Sequence, residues 1–587
     1  MKPWFRNLRL ACGVVADSLA DDPFQFLLQA SRRLPAELVT PAARMLAGAA
    51  PAASTAVPVL VAELLRGDND GLKRRMELAL DRGLPPGKAA KLADIALAAD
   101  DPVRADQFLT VSSGGRGHAA AQARRFWFGG AVNEAIAALD GERGPVPKNG
   151  GQLARLVSEQ SLLRGWAPQL PATRMEPVPN RVLHLLTNSL PHTQSGYARR
   201  SQSILMAQQD AGWETLAVTR LGYPVLVGKL GANLQDRVDG VRYQRLLPAR
   251  LAATPAGRLQ QQAEETLRLA LEFRPSVIHT TTHYVNGLVA RAVAEALGIP
   301  WVYEVRGQLA DTWASTRGPE AKESQRYKLF QERESEVMRS ADLVVTLGET
   351  MKGNILATGV QEGKIIVAPN AVGGDYLREP LGVREARQQL GLEQDAQIIG
   401  TVSSLVPYEG LDDLVAAFAL LAPSNPKLRL LIVGSGVSLP SLQDQARRTG
   451  FGDRVIFTGL VPSDQARAYH QALDIFVVPR KNLDVTRSVT PLKPVEALAS
   501  GRPVVASALP ALAEIVDDGS TGLLVPPEDP AALAQSLASL LADAPLRDAM
   551  GQSGRQRVLR TRTWDANAAV CVQAYRAAAA GRSRRSR

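Results

Sequence analysis

From Arg181 onward the chain reads as two successive series of short apolar, β-branched runs, each followed by a stretch of helical spacing. VLHLLTN from Val182, TLAVT, SVIHTT, WVYEV, LVVTL and IIVAP make the first series. IIGTV from Ile398, LRLLIVG, VIFTG, IFVVP, PVVAS and GLLVP make the second. A helix between consecutive strands returns the chain to the same end of a sheet, so such runs pair parallel and are covered on both faces. Their continuous apolar character agrees, because two-sided burial removes the polar alternation of a half-exposed strand. The expected class is α/β, with two doubly wound Rossmann-like domains, 181–375 and 376–578, facing a cleft. Ligands of such sheets bind outside the carboxyl ends of the strands, so the strand-end loops are where chemistry is to be sought.

Residues 1–174 are Ala/Leu-rich with little Val-Ile clustering. Val59–Arg66, Gly71–Arg82, Gly87–Ala99, Pro102–Val111 and Gly117–Leu139 show helical spacing between GDND, GLPP and DDP breakers. An all-α domain of packed hairpins is expected, loosely TPR-like but without a clean repeat. Gly141–Gly151 reads as a turn-rich break and 175–180 as a linker. The net charge of +10 comes with only 5% aromatic residues and no zinc-finger, homeodomain or RRM signature, which argues against a nucleic-acid partner. Two cysteines, Cys12 and Cys571, suggest no disulfide framework. The run Leu10–Val15 is too short and too closely followed by charge for a secretory signal. The tail 579–587, with Arg582, Arg584, Arg585 and Arg587, is expected to be disordered and able to meet anionic lipid. The expected location is therefore the cytoplasm, with peripheral contact at the inner membrane face, and the helical domain is a candidate for a protein partner.

The segment Pro479–Ser507, PRKNLDVTRSVTPLKPVEALASGRPVVAS, runs a basic, hydroxyl-rich loop into a short helix bearing Glu496 and then into a Val-Val strand. That order puts N–H groups and a helix N-terminus before an anion. It follows SGYARR, HTTTHYVNG, VYEVRG, APNAV, SLVPYEGLDDLVAAF, LLIVGSG, VIFTGLVP and DIFVVPR, in that order, between Arg181 and Tyr575. Together these resemble glycosyltransferase family 4, retaining enzymes of the GT-B fold that use nucleotide-diphosphate sugars. YEGLD with TPLKP resembles its bacterial exopolysaccharide-associated subgroup.

The resemblance implies a hydrogen bond from Glu496 to the nucleotide ribose. The family's preceding glutamate falls on Ser488, and its diphosphate-gripping Arg and Lys fall on Ser404 and Glu409. The grip is then expected from Lys493 and Arg487, and after them Arg480 and Lys481, with Thr490 and the Pro491–Leu492–Lys493 turn. Gly434, Gly436 and Leu460 would flank the nucleobase. Ser195, Gly196, Tyr197 and Arg199 would form a phosphate and acceptor loop, with Arg199 or Arg200 of the helix's first turn either touching phosphate or lying on the helix surface. His279 or His283 would touch the transferred sugar. Glu304 and Arg306, a charged pair in an otherwise buried run, read as a structural ion pair shaping the cleft or, alternatively, as acceptor contacts. No side-chain nucleophile, metal or cofactor beyond the nucleotide sugar is expected, and the acceptor is a saccharide or a lipid-linked one. The alternative is an inactive GT-B module that binds or scaffolds through its helical domain.

Overall fold

The computed structural model describes residues 3–31, 36–48, 51, 53–140, 150–462 and 464–585. Strands β1 (Arg181–Leu186), β2 (Glu214–Thr219), β3 (Gln235–Val238), β4 (Val241–Gln244), β5 (Val277–Thr281), β6 (Trp301–Val305), β7 (Leu343–Thr346) and β8 (Ile365–Val367) form one sheet. Its order is β3-β4-β2-β1-β5-β6-β7-β8. All neighbours are parallel except the β3–β4 hairpin, turned at Asp239 and Gly240, where φ is +45° and +81°. That polar edge hairpin, QDRVDGVRYQ, carries no apolar run and was not expected from the sequence.

The second sheet holds β9 (Gln397–Val402), β10 (Leu428–Val433), β11 (Val455–Gly459), β12 (Ile475–Val478), β13 (Val504–Ser507) and β14 (Gly522–Val525). Its order is β11-β10-β9-β12-β13-β14, parallel throughout. The central strands β12 and β13 are buried along their whole length, which is why they read as unbroken IFVV and VVAS. The two doubly wound sheets make a GT-B fold.

Beyond β14 the chain does not stay with the second sheet. Val372 bridges the residues flanking Thr563 where the segments cross: Val372 N–H donates to Arg562 C=O at 2.9 Å and Trp564 N–H to Val372 C=O at 3.1 Å. The helix Trp564–Arg585 then lies on the first domain, where Tyr575 is fully buried and its hydroxyl accepts from Gln208 Nε2 at 3.1 Å. The tail expected to be disordered continues this helix to Arg585, and Arg582 donates to both oxygens of Asp342 at 3.3 and 3.1 Å. Docking on a carboxylate at the start of β7 gives the last turns a partner that the sequence alone did not reveal.

Before Leu163 lie ten helices among the described residues. Asp68 and Asp101 cap two of them by accepting from Gly71 N–H and Arg104 N–H, consistent with the breakers read in the sequence. The Gly117–Leu139 stretch is two helices, His118–Gly129 and Val132–Asp140. It breaks at Gly130, where φ is +84° and a Cβ would lie 2.5 Å from Ser324 Oγ. The break expected at Gly141–Gly151 falls largely outside the described residues.

This helical block rests on the first domain. Arg326 lies between the rings of Trp127 and Trp313, 4.8 and 5.2 Å from their centroids. Arg317 sits 4.8 Å from both Phe128 and Trp313. Leu162 and Leu163 join the core of the first domain, and Leu10 packs with Val225, Ala232 and Leu247. Each such side chain contributes roughly 1.5–3 kcal/mol when fully buried. Chain 175–587, lacking the block, is therefore expected to melt at least about 5 °C below the full chain in a thermal unfolding scan. An equal midpoint would mean that the block rides on the domain without bracing it.

Candidate functional site

The carboxyl ends of β9, β10 and β12 deliver three loops to one place, centred on Glu409. Its carboxylate is 4% exposed and accepts from Arg480 at 3.2 and 3.0 Å and from Lys493 Nζ at 2.8 Å. Burial alone would raise the Glu409 carboxyl; Arg480 and Lys493 together bring it down to about 2. Lys493 also donates to Ser403 Oγ at 2.6 Å, and Arg480 to Val489 C=O at 2.9 Å. Burial pushes the Lys493 ammonium below the ordinary lysine range, with Glu409 opposing. Glu409, which the resemblance sets at a cation position, is thus a carboxylate that orients two other cations. The cluster keeps one net positive charge, and an ammonium has three donors of which Lys493 uses two.

One helical turn beyond Lys493, the Glu496 carboxylate has no hydrogen-bond partner among the described residues. Burial raises its carboxyl from 4.5 to about 7, against the pull of Arg199 in the first domain and Lys493 in the second. Ionising it therefore costs the native state stability as pH rises from 4.5 through 7. Glu496→Gln is expected to stabilise the nucleotide-free protein at pH 8 by on the order of 1–3 kcal/mol, and the gain should shrink toward zero below pH 4.5. Chemical denaturation at both pH values checks this; a gain that does not change with pH would contradict it.

The remaining donor-side candidates divide. Lys481 pairs with Asp412 and Asp413, both at 2.8 Å. Arg487 is exposed and, among the described residues, its guanidinium reaches only Asn482, at 3.1 Å. Ser488 faces away from a ligand: it is buried, donates to Asp484 C=O at 2.9 Å and accepts from Asn354 at 3.1 Å. Thr490 likewise turns its hydroxyl to Leu347 C=O in the first domain, at 3.3 Å. Pro491 is buried, and Leu492 packs on the cluster of Ile204, Ala207 and Trp564. Ser404 is exposed and Leu460 is 84% exposed. Gly434 and Gly436 have a packing reason: a Cβ on them would lie 1.8 Å from Ser403 C=O and 2.1 Å from Leu405 C=O.

The opposite wall is the start of the helix Gly196–Asp210. Ser195 caps it by accepting from Ala198 N–H at 3.3 Å, and a Cβ on Gly196 would meet nothing within 4 Å. First-turn N–H groups have no partner within their helix. Beneath this turn lies a buried charge network. Glu304, 0% exposed, accepts from Arg200 Nε at 2.8 Å, with Arg200 Nη2 in ion-pair contact at 2.7 Å, from Arg306 at 2.6 Å and from His279 Nε2 at 3.3 Å. Arg306 holds Tyr197 C=O at 3.0 Å and Ser201 Oγ at 2.8 Å; Arg200 holds Ala368 C=O at 2.7 Å and Asn370 Oδ1 at 3.2 Å. One carboxylate thus ties the first turn of this helix to the crossing segment.

His279 belongs to this network and not to the cleft. It lies two residues before the end of β5, in register with His184 and Val302, 1% exposed, with Nδ1 on the Tyr575 hydroxyl. His283 caps the helix Tyr284–Leu297 and packs at a tilt against the rings of Tyr284 and Phe330, and burial lowers it to about 4. Arg200, a candidate phosphate contact from its place in the first turn, is instead buried at 3% exposure on Glu304. Tyr575 was missed by sequence reasoning because its partners Gln208 and His279 are remote in the chain. Among the described residues no group of three or more His, Cys, Asp or Glu is placed to hold a metal ion.

Comparison with known proteins agrees with this architecture. Residues 382–557 match the family described as glycosyl transferases group 1, and 195–371 match the glycosyl transferase 4-like domain. The D-inositol 3-phosphate glycosyltransferase of Streptomyces avermitilis is 30% identical over 372 residues, 60% of this chain and 76% of its own length. Sucrose-phosphate synthase from Thermosynechococcus elongatus superposes with TM-score 0.56 at 25% identity, covering 68% of this chain and 100% of that one. Anabaena HepE, solved in complex with UDP and glucose, shares the fold with TM-score 0.52 at 18% identity, over 67% of this chain and 98% of its own. The chain belongs to the family 4 glycosyltransferases.

Proposed function

We propose that the protein transfers a hexose from a nucleotide-diphosphate sugar to a saccharide or lipid-linked acceptor, with retention, in the synthesis of a cell-surface polysaccharide. The observation that carries this reading is the Glu496 carboxylate, without a hydrogen-bond partner among the described residues, one helical turn from Lys493, whose third donor is unused. A carboxylate offers two acceptor oxygens to a ribose diol, and a cation stabilises the charge that grows on a departing diphosphate. The open first turn at Gly196 and Tyr197 supplies N–H groups for the same anion. The acceptor oxygen bonds to the anomeric carbon on the face the diphosphate leaves. The anomeric C–O bond breaks with its electron pair going to the diphosphate, whose oxygen takes the hydroxyl proton. No side-chain nucleophile, metal or further cofactor has a part in this reading.

Contact with a membrane face has support in the first helix, which exposes Trp4 and Phe5 beside Arg6 and Arg9, and in the basic last helix. Among the described residues no helix is long and apolar enough to cross a membrane. The second reading, an inactive binding module, draws on Glu409, which takes up part of the charge of Arg480 and Lys493. Incubation with UDP-glucose, GDP-mannose and a panel of glycosides separates the two. Transfer should appear with one donor, and the product's anomeric coupling by NMR should match that of the donor. An inverted product contradicts retention, and tight donor binding without turnover favours the module.

A further inference from the structure

A cavity of about 450 Å³ opens in the first domain between the helices Leu309–Ala314, Gln325–Ser340 and Glu349–Ala357. Its volume lies within the range of small-molecule sites. One end meets the cleft. Gly307 lies there beneath Tyr197 of the first-turn loop, with Tyr197 Oη 3.2 Å and Val489 Cγ2 3.9 Å from where a Cβ would stand. Asn354 borders that end, donating to Gln308 Oε1 at 3.2 Å and to Ser488 Oγ of the second domain at 3.1 Å.

The lining has a definite chemistry. Leu309, Met338, Met351 and Ile355 give it an apolar side. Asp311, Glu332 and Glu334 give it carboxylates. Asp311 accepts from the Tyr327 hydroxyl at 2.5 Å, and Glu334 from the Tyr303 hydroxyl at 2.6 Å and Tyr284 N–H at 2.7 Å. Each carboxylate oxygen has two lone pairs, so acceptor capacity remains for incoming hydroxyls. The one cation of the lining, Arg339, is already engaged, by Glu332 at 2.7 Å and Thr358 C=O at 2.9 Å. A phosphate would meet three carboxylates against one cation, whereas a sugar ring would set its C–H face on Met338 and Met351 and its hydroxyls on the carboxylates.

Resting on the transferase reading above, we infer that this cavity is the acceptor subsite and that it takes an uncharged glycoside rather than a phosphorylated sugar. The glycoside's hydroxyl emerges at Gly307, where its oxygen bonds to the anomeric carbon as the nucleoside diphosphate departs with the bonding pair and the hydroxyl proton.

The test uses the full chain with UDP-glucose and GDP-mannose, following nucleoside diphosphate release with octyl glucoside, octyl mannoside or glucose 6-phosphate. The expected result is stimulation by an octyl glycoside and none by glucose 6-phosphate. In Ser335→Trp and Ala357→Trp, which fill the cavity, the acceptor KM should rise about tenfold or more while the donor-induced shift in melting temperature is retained. Should those variants fail to fold, Gln331→Lys brings a cation to the exposed rim and should admit glucose 6-phosphate. Preference for the phosphorylated sugar, no response to either octyl glycoside while donor hydrolysis proceeds, or an unchanged KM overturns the cavity assignment and leaves the transferase reading standing. No release from any donor under any condition removes both.

Discussion

Glu304→Ala is expected to destabilise the protein by about 3–5 kcal/mol, a large part of the 5–15 kcal/mol typical of a domain. The loss arises less from the bonds broken than from what remains. Arg200 and Arg306 are 3% and 4% exposed, and without Glu304 they become buried cations with no counter-charge. Burial alone would raise the Glu304 carboxyl, yet these arginines and His279 hold it well below 4.5, so its contribution is present at neutral pH and fades only in acid. Glu304→Gln keeps the shape and part of the hydrogen bonding and should fall between wild type and alanine. Urea unfolding at pH 7 measures both. A loss under about 1 kcal/mol for the alanine variant would mean that water replaces the carboxylate, contrary to the packing described.

Lys493→Ala is expected to lower kcat/KM by about 100-fold or more while leaving the fold intact. Removing the ammonium leaves Glu409 paired by two bonds to Arg480, so no buried charge is abandoned and the melting temperature should change little. What is lost is the donor facing the diphosphate as charge develops there. Glu409→Gln should act in the same direction but more weakly, because Lys493 loses its anchor and keeps its charge. Steady-state kinetics beside a thermal scan separates the effects. A Lys493→Ala enzyme with wild-type kcat/KM would place the grip elsewhere, with Arg199 the next cation on the cleft.

The fold was legible where burial is two-sided. Val182–Leu186, Ile475–Val478 and Val504–Ser507 are continuous apolar runs because parallel strands under helices meet no water. The β3–β4 hairpin was not legible, since an edge ribbon with exposed faces needs no apolar pattern. Glu496 and Lys493 were read from their motif, and their place on the cleft follows from the short helix Lys493–Ala499. Glu409 read as a missing cation because its partners Arg480 and Lys493 lie 71 and 84 residues away. His279 read as a strand-end residue, but β5 continues two residues beyond it and register places it beside His184. Ser488 stood where a carboxylate was expected, and only the tertiary contact with Asn354 reveals that its hydroxyl is used within the fold.

The most direct test of the cleft as a nucleotide-sugar site is calorimetric titration of UDP, GDP and ADP into wild type, Lys493→Ala and Glu496→Ala. The expected result is that one nucleotide binds the wild type and that both variants weaken it by about tenfold or more, equivalent to about 1.4 kcal/mol each. Binding of no nucleotide by the folded wild type, or equal affinity in all three proteins, would contradict it.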